Sequence, residues 1–439
     1  MTTCSDIPLI PNSPRLGEQR PLLQSGALVA GLALRNLGIF LGIFLGIAPT
    51  PAHGVIASDV LTQDEQLFPR PEIVRKQVRF WEKIFFTYPA TTVVVHESSD
   101  PDRIIDVIDY RITGGPQATI LPVPRKLREA VTIRYLVRYN KAAERFVKEQ
   151  ANAVRYGSIE QRLYDVYHTD PVALQNLYTG KIKLRAQTGL ADDFLVAAKS
   201  AALYLPYMEQ IFNQYEVPKR LTRLPFVESM FNLKAVSKVG ASGIWQFMPA
   251  TARNYLFVNK LVDERNAPEK ATRAAAQFLL SNFQELGRWP LAITAYNHGK
   301  EGVARAARQL GTRDIGTMIE SYVSPSFSFA SRNFYAEFLA ASNVYERLAR
   351  LHPSEPKARP AATASVLLKK RISVAQLLAH TSLTKSQLQE LNPCLLPATL
   401  STHMNHPLPA FYEIKVPFSQ SSAIRNAVSL LETKRYAKK

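Results

Sequence analysis

The chain has 439 residues, room for two or three domains of ~150 residues each. Hydrophobic residues make up 46% and charged residues 21%, so most of the length can bury a core, which excludes a wholly disordered protein. Lys and Arg number 54 against 36 Asp and Glu, a formal net charge of +18, and a surface this basic favours a polyanionic partner such as nucleic acid, anionic lipid or an acidic wall polymer. Cys4 and Cys394 are the only cysteines, which excludes a disulfide framework and a Cys-based zinc site.

Leu37 to Ile47 reads LGIFLGIFLGI, preceded by Arg15, Arg20 and Arg35 and followed by Ala48-Pro49-Thr50-Pro51-Ala52. A basic lead, a short apolar run and a small-residue exit predict an export signal cut near Ala52. The run falls short of the ~20 residues that span a bilayer. A retained anchor is the alternative to cleavage. Cys4 precedes the run, so lipid attachment there is not expected.

Residues 55–125 mix helix and strand signals. Pro71 to Phe86 has helical spacing, with Val74, Val78, Trp81 and Ile84 on one side. The β-branched run Thr91 to Val95 predicts a strand, and Asp106 to Arg111 a second. His96 and Glu97 are read as a polar strand end rather than a metal pair. From Lys126 to Arg350 the chain reads as mostly helical, with a long amphipathic helix from Leu190 to Tyr215 interrupted near Pro206. Pro353 to Pro360 (PSEPKARP) reads as a linker. Beyond it, a strand near Val366, two helices opened by the capping boxes Ser373–Gln376 and Thr384–Gln387, and a strand from Phe411 to Val416 give the order β-α-α-β. The residues after Gln420 read as a frayed basic end. The fold class is therefore α+β, predominantly α-helical.

The chemistry concentrates between Leu224 and Val262. Glu228 sits in Leu224-Pro225-Phe226-Val227-Glu228-Ser229-Met230-Phe231 with apolar neighbours on both sides. It either projects to solvent or is partly buried with a raised pKa, the state a general acid needs to protonate a glycosidic oxygen. In Gly240-Ala241-Ser242-Gly243-Ile244-Trp245-Gln246-Phe247-Met248-Pro249 the two glycines suggest a turn where backbone approaches a ligand. Trp245 and Phe247 can offer flat faces to sugar rings, and Gln246 suits an N-acetyl amide. A buried turn and helix start is an equal reading of the same residues. Ala295-Tyr296-Asn297-His298-Gly299 places a hydroxyl and an amide at a helix end, with His298 read as facing solvent.

These segments (PFVESMF, GASGIWQFMP and AYNHG) resemble, in order and spacing, the signature motifs of the lytic murein transglycosylases, in the membrane-bound lytic transglycosylase D branch. The resemblance covers roughly residues 185 to 350. The β-α-α-β segment resembles a LysM peptidoglycan-binding module, with Arg371-Ile372 where Gly-Asp is usual. The resulting division is 1–52 signal peptide or anchor, 53–185 mixed accessory region, 186–350 catalytic domain, 351–365 linker, 366–418 LysM-like module and 419–439 basic tail.

The resemblance implies a lysozyme-like domain that cleaves the MurNAc–GlcNAc β-1,4 bond of peptidoglycan glycan strands and forms a 1,6-anhydroMurNAc end. It implies Glu228 as the catalytic acid/base, with Ser229 and Gln246 orienting it or the substrate, Tyr296 and Asn297 lining the site, and Met248 in the cleft. No metal or cofactor is implied, nucleic acid is not a partner, and the location is the periplasm or cell envelope, with membrane association open. The next acids after Glu228, Asp263 and Glu264, adjoin Arg265 and read as a salt-bridged turn. A lone acid suffices if the substrate's N-acetyl group assists. The alternatives are a hydrolase like goose-type lysozyme and a non-catalytic wall-binding protein.

Overall fold

The computed structural model describes residues 63–110, 124–154, 157–351 and 362–433, all within one compact unit, Leu61–Lys439. The predicted export signal 1–52 and the linker Pro353 to Pro360 lie outside the described residues. Helices dominate and the strands form two small sheets, so the fold is α+β and mainly helical. No helix among the described residues is long and apolar enough to cross a membrane.

Helix α1 (Gln63–Leu67) leads into α2 (Glu72–Glu82), which ends in a π-helical turn, Lys83–Thr87. Val74, Val78, Trp81 and Ile84 are buried, as their spacing requires. Their partner is distant in sequence: Trp81 Nε1 donates to Asn333 Oδ1 at 3.1 Å, and Asn343 Nδ2 donates to Glu82 Oε1 at 2.7 Å, both on the helix Phe329–Leu351. The start of the segment assigned to an accessory region thus builds the core of the main helical domain, a long-range pairing that no local pattern encodes.

Strand β1 (Thr92–Glu97) is central in a three-stranded antiparallel sheet, flanked by β2 (Ile104–Asp109) and β3 (Leu184–Thr188). The strand alternation splits its valines. Val94 joins the main helical core, while Val93 and Val95 join a second cluster under α3 (Arg125–Glu149), α4 (Ile159–Tyr167) and α5 (Pro171–Tyr178). His96 and Glu97 are buried rather than a polar strand end. His96 lies 4.5 Å from the Phe80 ring, and burial lowers its pKa to about 4, so it is neutral. Glu97 accepts from Tyr167 at 3.1 Å and faces Arg103 at 3.6 Å.

Helix α6 (Ala191–Gln214) runs through Pro206 without interruption. Pro206 is exposed, while Ala201, Leu205, Met208 and Phe212 are buried on either side of it. A proline inside a helix costs ~3 kcal/mol. Here the buried face continues past it and the proline lies on the exposed side of the helix. The chain continues through α7 (Leu224–Ser229), α8 (Pro249–Ala252), α9 (Pro268–Leu286), α10 (Trp289–His298), α11 (Lys300–Leu310), α12 (Ile315–Ser321) and α13, the helix Phe329–Leu351.

The C-terminal segment is β4 (Thr363–Leu368), α14 (Val374–His380), α15 (Lys385–Leu391) and β5 (Tyr412–Pro417), with both capping boxes formed and the strands paired antiparallel. A further helix, α16 (Ser421–Thr433), stands where a frayed tail was expected. Ile424, Val428 and Leu431 at helical spacing are buried in the core of this segment. The basic residues after Gln420 hid that stripe.

This segment is docked on the helical domain. Val262 is fully buried in its core, Asp263 N donates to Cys394 O at 2.8 Å, and Leu396 N donates to Leu261 O at 3.0 Å. A chain ending at residue 361 is therefore expected to melt at a lower temperature than the full chain. Exposing one valine costs ~1.5–3 kcal/mol and each lost hydrogen bond about 1 kcal/mol. Scanning calorimetry of the two chains checks this, and equal melting would mean that the docking contributes nothing.

Candidate active site

Glu228 is the penultimate residue of α7, a six-residue helix with Pro225 in its first turn. Phe226 anchors this helix: its ring stacks on Phe194 at 4.6 Å and meets Phe231 at 4.6 Å and Tyr345 at 5.2 Å. The helix stops because Met230 and Phe231 both take left-handed backbone, each at φ 51°. Ser229 Oγ donates to Ile244 O at 2.8 Å and so ties the end of α7 to the glycine-bearing loop.

Glu228 is half-buried and its carboxyl pKa is pushed up to about 8, first by burial and then by the negative charge of Glu337. It is protonated at neutral pH, the form that can give a proton away. Glu337, on α13, is likewise raised to about 8 by burial. Among the described residues no hydrogen bond or ion pair reaches either carboxyl. Sequence reasoning missed Glu337. The signal was present: Asn333-Phe334-Tyr335-Ala336-Glu337-Phe338-Leu339 surrounds a lone acid with apolar residues, as PFVESMF does.

The glycine-bearing loop is a scaffold. Gly243 lies at φ 77°, and a Cβ there would come 1.9 Å from the carbonyl oxygen of Arg265. The close approach is to protein backbone, not to a ligand. Arg265 forms a two-pronged ion pair with Asp263 (2.9 and 2.7 Å) and donates to Gly240 O at 2.6 Å and Phe247 O at 2.9 Å. Glu264 pairs with Lys270 at 2.6 Å and accepts from Phe257 N at 2.8 Å. Both acids are spent on this turn.

Trp245 and Phe247 are buried and present no face to a ligand. Trp245 stacks on Phe212 at 5.6 Å and donates to Thr272 Oγ1 at 3.0 Å. Gln246, at φ 47°, turns its amide inward onto Gly243 O (2.7 Å) and Ala235 O (3.1 Å). Met248 is 42% exposed at the start of α8.

Tyr296 closes the site from α10. Its hydroxyl donates to Trp245 O at 2.8 Å, and its ring lies 5.3 Å from Phe278 and 5.9 Å from Phe247. Burial raises its pKa well above the usual value, and Glu228 adds to that, which places the phenol beside the acid. Asn297 is exposed. His298 is half-buried rather than solvent-facing: Ser331 Oγ donates to Asn297 Oδ1 at 3.3 Å, and His298 Nδ1 donates to Ser331 Oγ at 3.0 Å. Gly302 on α11 makes room for that ring, since a Cβ there would lie 2.6 Å from His298 Cδ2.

A groove of about 820 Å³ adjoins the end of α7. Residues Ser229 to Lys234 form one side, and Val196 and Ser200 of α6 with Arg128 of α3 and Thr188 of β3 form the other. The mixed α/β region thus supplies part of the wall. Of the expected site residues Ser229 lines this groove; Glu228 precedes it in α7 with Tyr296 beside it, Gln246 braces the loop that holds Ser229, and Met248 and Asn297 are exposed.

Residues 206–319 match the model of the transglycosylase SLT domain. The chain is 30% identical over 203 residues to the membrane-bound lytic murein transglycosylase D of Escherichia coli strain K12 and equally to that of Escherichia coli O6:H1 strain CFT073. Each match covers 44% of this chain and 44% of the relative, so the chain spans about half the length of these relatives. Among solved structures, the 70 kDa soluble lytic transglycosylase of Escherichia coli aligns at 20% identity and a TM-score of 0.27, over 52% of this chain and 36% of that one. PFVESMF, GASGIWQFMP and AYNHG all fall within the residues that match the transglycosylase SLT domain, and Glu337 falls outside them.

Proposed function

We propose that this protein is a peptidoglycan lytic transglycosylase with Glu228 as its acid/base. The observation that carries this reading is a carboxyl held near a pKa of 8 in the short helix whose end adjoins a groove, with Asp263, Glu264 and Glu337 unsuited to the second role. Asp263 and Glu264 are committed to Arg265 and Lys270. Glu337 holds its own proton at neutral pH and so is neither nucleophile nor base. A two-carboxylate hydrolysis needs an ionised partner.

The single acid works in two steps. Glu228 gives its proton to the glycosidic oxygen while the N-acetyl oxygen of the muramyl sugar attacks C1 and the C1–O bond breaks. Glu228, now a carboxylate, takes the proton of the C6 hydroxyl as O6 attacks C1 and displaces the acetamido oxygen. The product is a 1,6-anhydro end, and Glu228 regains its starting state.

Ser229, Gln246 and Tyr296 position Glu228 through the backbone they bind, and Met248 and Asn297, both exposed, meet the sugars. The partner is the glycan strand with its acidic peptide stems, which accounts for the net charge of +18. Residues 362–433 act as a glycan-binding module of LysM type, and the chain works in the cell envelope after export.

Digestion of purified sacculi followed by mass spectrometry tests the reading. Muropeptides one water lighter than reducing-end products support it. Reducing ends would assign a hydrolase, and intact sacculi a binding protein.

A further inference from the structure

We propose that Glu337 is a positioning residue that acts through Glu228, as the second member of a carboxyl pair built where α13 meets α7. This rests on Glu228 being the acid of the reaction proposed above. Phe334, Glu337, Ala341 and Tyr345 recur every three or four residues and so share one face of α13. Tyr345 on that face packs on Phe226 at 5.2 Å, and Glu228 follows Phe226 in the same short helix. At the other end, Ser331 ties α13 to Asn297 and His298, the end of the helix that carries Tyr296. Glu337 lies between these two fastenings, so α13 is fixed to both elements of the site and brings a carboxyl to it.

No cation neutralises the pair among the described residues. Arg70 and Arg220 meet α13 at Asn343, as does Glu82 of α2. Arg223 lies over Tyr345 and is paired with Glu209. Arg332 is spent on the carbonyls of Ile319 and Tyr322, and His298 on Ser331. Tyr296 is the remaining titratable group coupled to Glu228. Two neighbouring carboxyls without a counter-ion cannot both ionise easily, so ionised Glu337 holds the proton on Glu228 at higher pH. Glu337 keeps its place and passes no proton to the substrate. Its effect is to extend the pH range over which the acid is loaded.

Glu337→Gln tests this in the full-length protein. Without the second charge Glu228 should titrate about one unit lower, while burial still keeps it above the ordinary range. Carbon-13 NMR titration of labelled glutamate carboxyls reads this directly and needs no turnover. In the pH profile of sacculus digestion the basic limb should move the same way. Turnover at pH 8 should fall about fivefold and change little at pH 6, the loss expected when the protonated fraction drops from about one half to about one tenth. Glu337→Asp should restore part of the wild-type limb. If Glu337→Gln fails to fold, Glu337→Met serves in its place. An unmoved Glu228 titration in a folded variant overturns the inference, whatever sacculus digestion shows. Retained turnover in Glu228→Gln would instead overturn the role of Glu228 and leave the measured coupling to stand by itself.

Discussion

Glu228→Gln is expected to fold normally and to lose essentially all turnover on sacculi. The amide keeps the size of the carboxyl but has no proton to give and cannot take one back. General acid/base groups typically contribute ~10²–10⁴-fold, and a residue used in both steps should lie at or beyond the top of that range. The fold should tolerate the change because no ion pair or hydrogen bond of the carboxyl is lost. Stability should change in a definite direction with pH. The folded pKa of about 8 lies above the usual value of 4.5, so wild-type Glu228 favours folding below that value and loses the benefit as pH rises toward 8. The glutamine variant does not titrate, so relative to wild type it should gain stability over that range. Glu320→Gln, on an exposed residue of α12, is the matched control and should digest sacculi at the wild-type rate. Equal rates for the two variants would remove Glu228 from the mechanism.

What could be read from the sequence divides by the distance over which each feature is decided. The valines of β1, the helix spacing of α2 and the two capping boxes depend on neighbours a few residues away, and each takes its expected form. Glu228 was legible for the same reason, since its apolar flanks are adjacent in the chain. Glu337 has similar flanks, but nothing local says that it faces Glu228 across more than a hundred residues of sequence. The aromatic residues of the second motif left two readings open, because Trp245 has the same composition whether it meets a sugar or Phe212, and the structure takes the buried one. Its burial is decided by α6 and α9, which supply Phe212 and Thr272. Pro206 was read as a break because the local cost was visible and the packing of Leu205 and Met208 was not.

Gly243 illustrates the same division and leads to the other large effect. That it marks a turn with a close backbone approach was legible, but the atom it approaches was not. Gly243→Ala is expected to unfold the loop and to abolish turnover with Glu228 intact. An alanine at φ 77° carries left-handed strain of ~1–2 kcal/mol. The added Cβ must also escape from the Arg265 carbonyl oxygen 1.9 Å away. Neither side can yield cheaply, because Arg265 is fixed by Asp263 and by the carbonyls of Gly240 and Phe247. Forcing a methyl into a tight site adds ~1–3 kcal/mol. A total near 3 kcal/mol should lower the melting temperature by roughly 6–12 °C for a domain of this size. Activity should fall further than stability. The carbonyls of Ile244 and Trp245, the next residues, hold Ser229 and Tyr296 at either side of Glu228. Gly311→Ala separates strain from collision, since that glycine has φ 65° and open space around its Cβ position. It should melt only a few degrees low and keep its turnover. If Gly243→Ala matches it in both measurements, the contact with Arg265 is not what fixes the loop beneath the acid.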